Sequence, residues 1–287
     1  MQCLYLYAMP CINFNGEIVP ADVPLVCSAN RGLRYGDGLF ETMRWAKNGL
    51  VLMQDHFERL LKGLHVLQFQ TPEHFTESFF YDQVKTLVEH EVLAEARIRF
   101  TVIREGGTMR EPGGFMYFVE ASKLTVNERD SLENGIKLCV YPDAKKMADI
   151  LSPLKHNNYL LSCMAAMYAQ SHGFDDSIIL NQYNRFCETS IANLYFIHGN
   201  SVITPPLMEG CVGGVIRKNL LKALPELGFK VSEERIDESI WKGSDAAFVT
   251  NSIINMKAVS SIEGFKFNLQ PALDLKSLIY QKTELFW

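Results

Sequence analysis

The chain has 287 residues, 47% of them hydrophobic and 21% charged, so it is long enough for two modest domains and is not disordered in composition. A net charge of -5 and a pI near 5.8 argue against a nucleic-acid partner, which would want a basic face. Seven cysteines, an odd number with no C-x-x-C pair, speak against a disulfide framework or a zinc site; reduced thiols in a cytoplasmic protein are the simpler expectation, and no metal is expected. No stretch reaches the ~18 apolar residues of a membrane span, and the N-terminal apolar run lacks the basic flank of a signal peptide.

In chain order, Asn15-Gly16 predicts a hairpin turn between two strands. Residues 30–45 place three glycines ahead of an apolar strand. Apolar spacing predicts a helix over 55–68 behind an Asp55 N-cap, and a second over 73–93. Ala96–Arg104 alternates as a strand with Gly113–Glu120 as its hairpin partner. The polar run 121–135 is the expected boundary between a small N-terminal domain (1–121) and a larger C-terminal one (122–287). A strand at Ile136–Tyr141, a helix over 157–173, strands at Ser177–Asn181 and Leu194–His198 and a helix over 214–228 follow. A strand in FKVSEERI, a short polar helix, and strands in AAFVTNS and MKAVSSI complete the set. Strands and helices mix without strict alternation, so the expected fold class is α+β.

Lys155 sits after Pro153 in SPLKHNNYL. An amine in apolar surroundings loses charge readily, as Schiff-base chemistry requires, although a lone lysine is most often a solvated one. Glu188, between apolar segments in FCETSIANLYF, could pair with a pyridinium nitrogen or be an ordinary turn glutamate. Gly213-Gly214 opens a helix whose first N–H groups suit a phosphate. Arg59 could supply the cation, and Thr250, Asn251 and Ser252 could add donors or merely form a turn.

These segments together resemble the class IV (fold type IV) pyridoxal phosphate (PLP) enzymes, which include branched-chain and D-amino acid aminotransferases and 4-amino-4-deoxychorismate lyases. The resemblance runs from about Ile12 to about Glu263. It is carried by NRGLRYGDGLFET, DHFERL, the block from LKHNNYLLSCMAA to FCETSIANLYFI, TPPLMEGCVGGVIRKNLL and FVTNSIINMKAV. It implies a two-domain PLP enzyme with the cofactor at the domain junction, and a homodimer. It implies Lys155 as Schiff-base lysine and proton shuttle, and Glu188 as partner of the ring nitrogen. Arg59, the backbone at Val215 and Ile216, and Ser252 would hold the phosphate, with Tyr159 near the ring. Asn30 replaces the family's usual Asp, and Ile216 its usual Thr, which removes one phosphate hydroxyl.

The catalytic skeleton is shared by transaminases and lyases, so the reaction rests on the substrate side. The short K-H-N-N-Y spacing, T-N-S at 250–252 and G-V-I-R lean toward aminodeoxychorismate lyase over a branched-chain or D-amino acid transaminase. A PLP-fold protein that has lost activity is the lesser alternative. Phe40, Arg44, Arg99, Arg104 and Asn251 are the candidate substrate residues, Arg104 through its match to a carboxylate-binding arginine of the D-amino acid branch. Odd spacing puts Arg99 and Arg104 on opposite faces of a strand, so at most one is expected to reach a substrate.

Overall fold

The computed structural model describes residues 10–46, 49–106, 108–124 and 134–283. The chain divides into two compact units at Leu124.

The first unit is a six-stranded antiparallel sheet in the order β2-β1-β6-β5-β3-β4. Its strands are β1 Cys11–Phe14, β2 Glu17–Pro20, β3 Gly38–Ala46, β4 Gly49–Leu50, β5 Ala96–Glu105 and β6 Gly114–Lys123. The Asn15-Gly16 turn has positive φ at both residues (48° and 96°), the conformation whose twist matches a tight hairpin. Three helices accompany the sheet: α1 Arg31–Tyr35, α2 Met53–Val66 and α3 Glu77–His90. Helix α2 starts two residues before Asp55. Leu52, at φ 53°, stands at its N-cap, and Asp55 lies in the first turn, where its charge favours the helix dipole. Helix α3 is shorter than its periodicity suggested because Thr76 caps it, accepting from Phe79 N–H.

One face of this sheet carries Leu39, Met43, Ile98, Phe100, Val102 and Val119. They are buried on the side that also holds Phe57, Leu60, Leu64, Phe75, Phe80, Val84 and Leu87 of the helical segments. Phe80 and Phe100 lie 4.5 Å apart between centroids, Phe75 and Phe115 4.9 Å. The opposite face carries Phe40, Thr42 and Arg44 beside Thr101, Arg99 and Arg97.

The second unit is built on a nine-stranded mixed sheet, β12-β11-β10-β13-β14-β7-β8-β9 with β15 paired to β14. Its strands are β7 Ile136–Val140, β8 Asp176–Leu180, β9 Phe186–Thr189, β10 Asn193–His198, β11 Ser201–Thr204, β12 Lys230–Glu233, β13 Ala246–Asn251, β14 Asn255–Ile262 and β15 Phe265–Lys266. Its helices are α4 Leu160–Ser171, α5 Val215–Glu226, α6 Glu238–Gly243 and α7 Gln270–Lys282. Strand pairs β7/β8, β7/β14 and β11/β12 are parallel and the others antiparallel. Leu138, Ile178, Leu194, Phe196, Val249 and Val259 form the centre of its core. Helix α4 begins at Leu160, later than the periodicity suggested, so Lys155 lies in the loop before it.

Candidate active site

Hydrogen bonds within the second unit tie the Lys155 loop to the glycine segment, and that segment to Glu188. The lysine loop is fixed first by Asp149, whose Oδ1 accepts from the N–H groups of Leu151 and Ser152 at 2.9 and 3.0 Å. Lys155 Nζ then reaches the Tyr159 hydroxyl at 3.2 Å. Pro153 O accepts from Gly213 N–H at 3.0 Å, which ties the lysine loop to the glycine segment. Glu188 lies within β9 rather than in a turn, buried, and its Oε2 accepts from Val212 N–H at 2.8 Å. Its Oε1 meets Lys146 Nζ at 2.5 Å.

Helix α5 starts directly after this segment. Gly214 is its N-cap and no side chain caps it, so the amides of Val215 and Ile216 stand in the first turn, where a helix leaves its N–H groups to a ligand. A glycine is required at 214: a Cβ there would lie 2.0 Å from Asn193 Oδ1. Asn193 in turn donates to Val212 O at 2.9 Å.

The residues past β13 behave differently. Thr250 is buried and hydrogen-bonds the Tyr195 hydroxyl at 3.2 Å. Asn251 Oδ1 accepts from Ile253 and Ile254 N–H, both at 2.9 Å, and its amide donates to Ile191 O at 3.2 Å. The Asn251 oxygen therefore closes the turn, and one amide N–H meets Ile191 O. Ser252 stands in that turn.

In the first unit, Arg59 is tied to Glu41 of β3. Arg59 Nε donates to Glu41 Oε1 at 2.8 Å, Arg59 NH2 pairs with Oε2, and His56 Nδ1 lies 2.6 Å from the same Oε2. His56 and Arg59 are one helical turn apart on α2, which brings both to a single strand residue. Burial pushes the Glu41 carboxyl up, but the Arg59 charge and the His56 and Arg59 hydrogen bonds outweigh it and hold the pKa at about 2. Sequence reasoning missed Glu41 and His56, although both stand in the quoted GDGLFET and DHFERL segments.

Of the arginines, Arg104 is buried on the helix-covered side. It bonds Asp37 Oδ2 at 3.0 Å, Gln68 O at 3.2 Å, Pro112 O at 2.8 Å and Leu67 O at 2.5 Å. With Arg31, which bonds Thr108 O and Glu111 O and pairs with Asp37 at 2.7 Å, it anchors the 108–113 segment. Its candidate role as the substrate carboxylate arginine is corrected to a structural one, since four of its donors meet protein acceptors. Arg99 projects from the opposite face, as the odd spacing required. Its guanidinium carbon is 3.7 Å from the Phe40 ring centroid and its Nε is 3.8 Å from Glu120. Arg44 shares that face and is buried.

Cys11, His90 and Glu91 also place ligand atoms within 4.8 Å of one another, a grouping that the absence of a C-x-x-C pair had not suggested.

The profile of the amino-transferase class IV family matches residues 38–262. The chain belongs to this family. Class IV enzymes use PLP, and the chain is a PLP-dependent enzyme with the mixed α/β fold of the class. It is similar to an aminodeoxychorismate lyase of Vibrio harveyi, 29% identical over 84% of this chain and 87% of that protein. It is also similar to a putative branched-chain-amino-acid aminotransferase of Methanocaldococcus jannaschii, 27% identical over 94% of each chain. The solved branched-chain aminotransferase of Escherichia coli shares the fold, with a TM-score of 0.86, 21% identity and coverage of 97% of this chain and 96% of that one.

The residues present suit the class IV cofactor. Beside Lys155, His156 Nδ1 and Asn157 Oδ1 are buried and have no hydrogen-bond partner among the described residues, as expected of a wall built to meet a polar molecule. A nucleophilic amine, a buried carboxylate to accept and helix amides to donate are also the three groups that an aldehyde, a ring nitrogen and a phosphate require.

Proposed function

We propose that Lys155 carries the cofactor and that the enzyme is a 4-amino-4-deoxychorismate lyase, splitting its substrate into 4-aminobenzoate and pyruvate. The observation that supports the site assignment is the convergence of Lys155, Tyr159, Glu188 and the Gly213-Gly214 helix start within one unit. Lys155 holds the cofactor through its amine, and Glu188 meets the ring nitrogen. The amides of Val215 and Ile216, with Ser252, would take the phosphate. When bound, PLP withdraws electrons from the substrate carbon bearing the amino group, so that a proton can leave it.

The protein's own work is to bind, orient and move that proton. Lys155 Nζ takes it, with the Tyr159 hydroxyl 3.2 Å away to orient the amine. In the lyase, loss of the ring proton drives out the bonded oxygen of the enolpyruvyl group. Pyruvate departs and the ring becomes aromatic, with no other reactant consumed. Arg99 and Arg44, on one sheet face with Phe40, suit a substrate carrying two carboxylates, as aminodeoxychorismate does. The K-H-N-N-Y spacing and the likeness to the Vibrio harveyi lyase support the same reading.

A branched-chain or D-amino acid transaminase is the second reading, favoured by the likeness to the Methanocaldococcus jannaschii protein. It would use the same Lys155 amine to take up and give back a proton. We take the active form to be a cytoplasmic homodimer. Incubation with aminodeoxychorismate should release 4-aminobenzoate and pyruvate in equal amounts. Rapid amino exchange between L-leucine or D-alanine and 2-oxoglutarate, with no 4-aminobenzoate, would reject the lyase and leave the transaminase.

A further inference from the structure

Glu188 is held from two sides, and one side is a buried cation. Lys146 Nζ lies 2.5 Å from Glu188 Oε1, with side-chain exposures of 15% and 8%. The lysine is placed by its backbone. Its N–H donates to Leu180 O at 2.9 Å and its carbonyl accepts from Gln182 N–H at 3.1 Å, which splices it onto the end of β8. Val212 N–H holds the other carboxylate oxygen, so Glu188 has a fixed direction.

The surrounding groups leave this pair as the local charge. Burial pushes the Cys187 and Cys211 thiols up, Cys211 to about 12, so both stay protonated. Burial and the Lys146 charge push His156 down, so it stays neutral. Glu209 is engaged by Arg185 and Arg235, and Asp149 caps the lysine loop. Burial pushes the Lys146 pKa down, but the negative groups beside it, Glu188 foremost, outweigh that and raise the lysine above its usual range. Lys146 and Glu188 therefore form a close ion pair, 2.5 Å apart.

We propose that Lys146 is a positioning residue that sets how firmly Glu188 protonates the cofactor's ring nitrogen. This rests on the reading of Glu188 as the nitrogen's partner. A carboxylate already neutralised by an ammonium is a weaker base toward a second cation, and in a low-dielectric interior the difference is large. Lys146 thus moderates the electron-withdrawing power of the ring while keeping Glu188 aimed. Without it, the nitrogen and Glu188 would hold their shared proton more tightly.

The test is the holoenzyme reconstituted with PLP labelled with nitrogen-15 in the ring, its resonance followed across the pH range in which the protein stays folded. The wild type should lose the nitrogen's proton within that range. Lys146→Met should raise the midpoint by about one pH unit or more, a tenfold gain in proton affinity. Lys146→Arg, which keeps the charge, should restore the wild-type midpoint, and Glu188→Gln should lower it. A merely structural ion pair would change the melting temperature of Lys146→Met but not this midpoint. A nitrogen whose midpoint shifts in Glu188→Gln but not in Lys146→Met overturns the proposal and spares the Glu188 assignment. A midpoint unmoved by Glu188→Gln overturns both. A wild-type nitrogen protonated across the whole range also overturns the moderating role.

Discussion

Replacing Gly214 by alanine would set a methyl carbon 2.0 Å from Asn193 Oδ1, far inside van der Waals contact. The amide of Asn193 is buried and donates to Val212 O at 2.9 Å, so it cannot swing aside without breaking that bond. Val212 in turn supplies the N–H that fixes Glu188 Oε2. One methyl group is therefore transmitted through Asn193 and Val212 to the carboxylate, and through Gly214 itself to the first turn of α5. A buried acceptor left unsatisfied costs about 1–3 kcal/mol and overpacking a similar amount. If only about 1.4 kcal/mol of this falls on the bound state, PLP affinity drops tenfold. Apo Gly214→Ala should melt several degrees below the wild type, and absorbance titration should show PLP binding at least tenfold weaker. Gly213→Ala is the control, because a Cβ there would meet only Pro153 O at 3.6 Å. A Gly214→Ala protein that melts and binds PLP like the wild type would refute this chain of contacts.

Three further outcomes follow from the same geometry. Glu41 has its pKa lowered from 4.5 to about 2, so its stabilisation is complete above the unfolded value near 4.5 and is lost as pH falls toward 2. The shift corresponds to roughly 3 kcal/mol, so Glu41→Gln should destabilise the fold by about that much at neutral pH. The gap from wild type should narrow as urea unfolding is repeated below pH 4.5, and a gap independent of pH would contradict the assignment. Arg104→Met should destabilise by about 2 kcal/mol or more, because it removes one of the two arginine partners of Asp37 and the donors to three part-buried carbonyls. Arg99→Met should leave the melting temperature within a degree or two and raise KM for a dicarboxylate substrate; equal melting temperatures for the two variants would refute the contrast. Tyr159→Phe removes the 3.2 Å contact to Lys155 and should weaken PLP binding severalfold without unfolding the protein, which paired titration and melting curves would check.

How far the sequence could be read depended on the range of the interaction. The Asn15-Gly16 hairpin and the β5/β6 pair were legible because turn chemistry and two-residue alternation are local. Helix α1 was not, since five residues show no period, and α7 was passed over although Pro271 marks its first turn. Opposite faces for Arg99 and Arg104 followed from strand spacing, but which face the helices cover did not, and that decides which arginine is structural. The lysine, glutamate and glycine segments were recognisable in order. The Glu41–His56–Arg59 cluster and the Lys146–Glu188 pair were not, because their members meet only through β3 with α2 and through β8 with β9. The local claim on the Asn251 oxygen was equally hidden. A polar side chain at a strand end suggested a ligand, while the backbone two and three residues on had the nearer claim.

The account stands on Lys155, and the most direct measurement is borohydride reduction of the PLP-saturated protein followed by peptide mapping. The wild type should show a near-ultraviolet or visible absorption band that reduction abolishes, leaving the pyridoxyl label on the peptide containing Lys155. Lys155→Ala should keep no pyridoxyl label after reduction. A label on Lys146 or another lysine of the wild type, or an undiminished label in Lys155→Ala, would contradict the central claim.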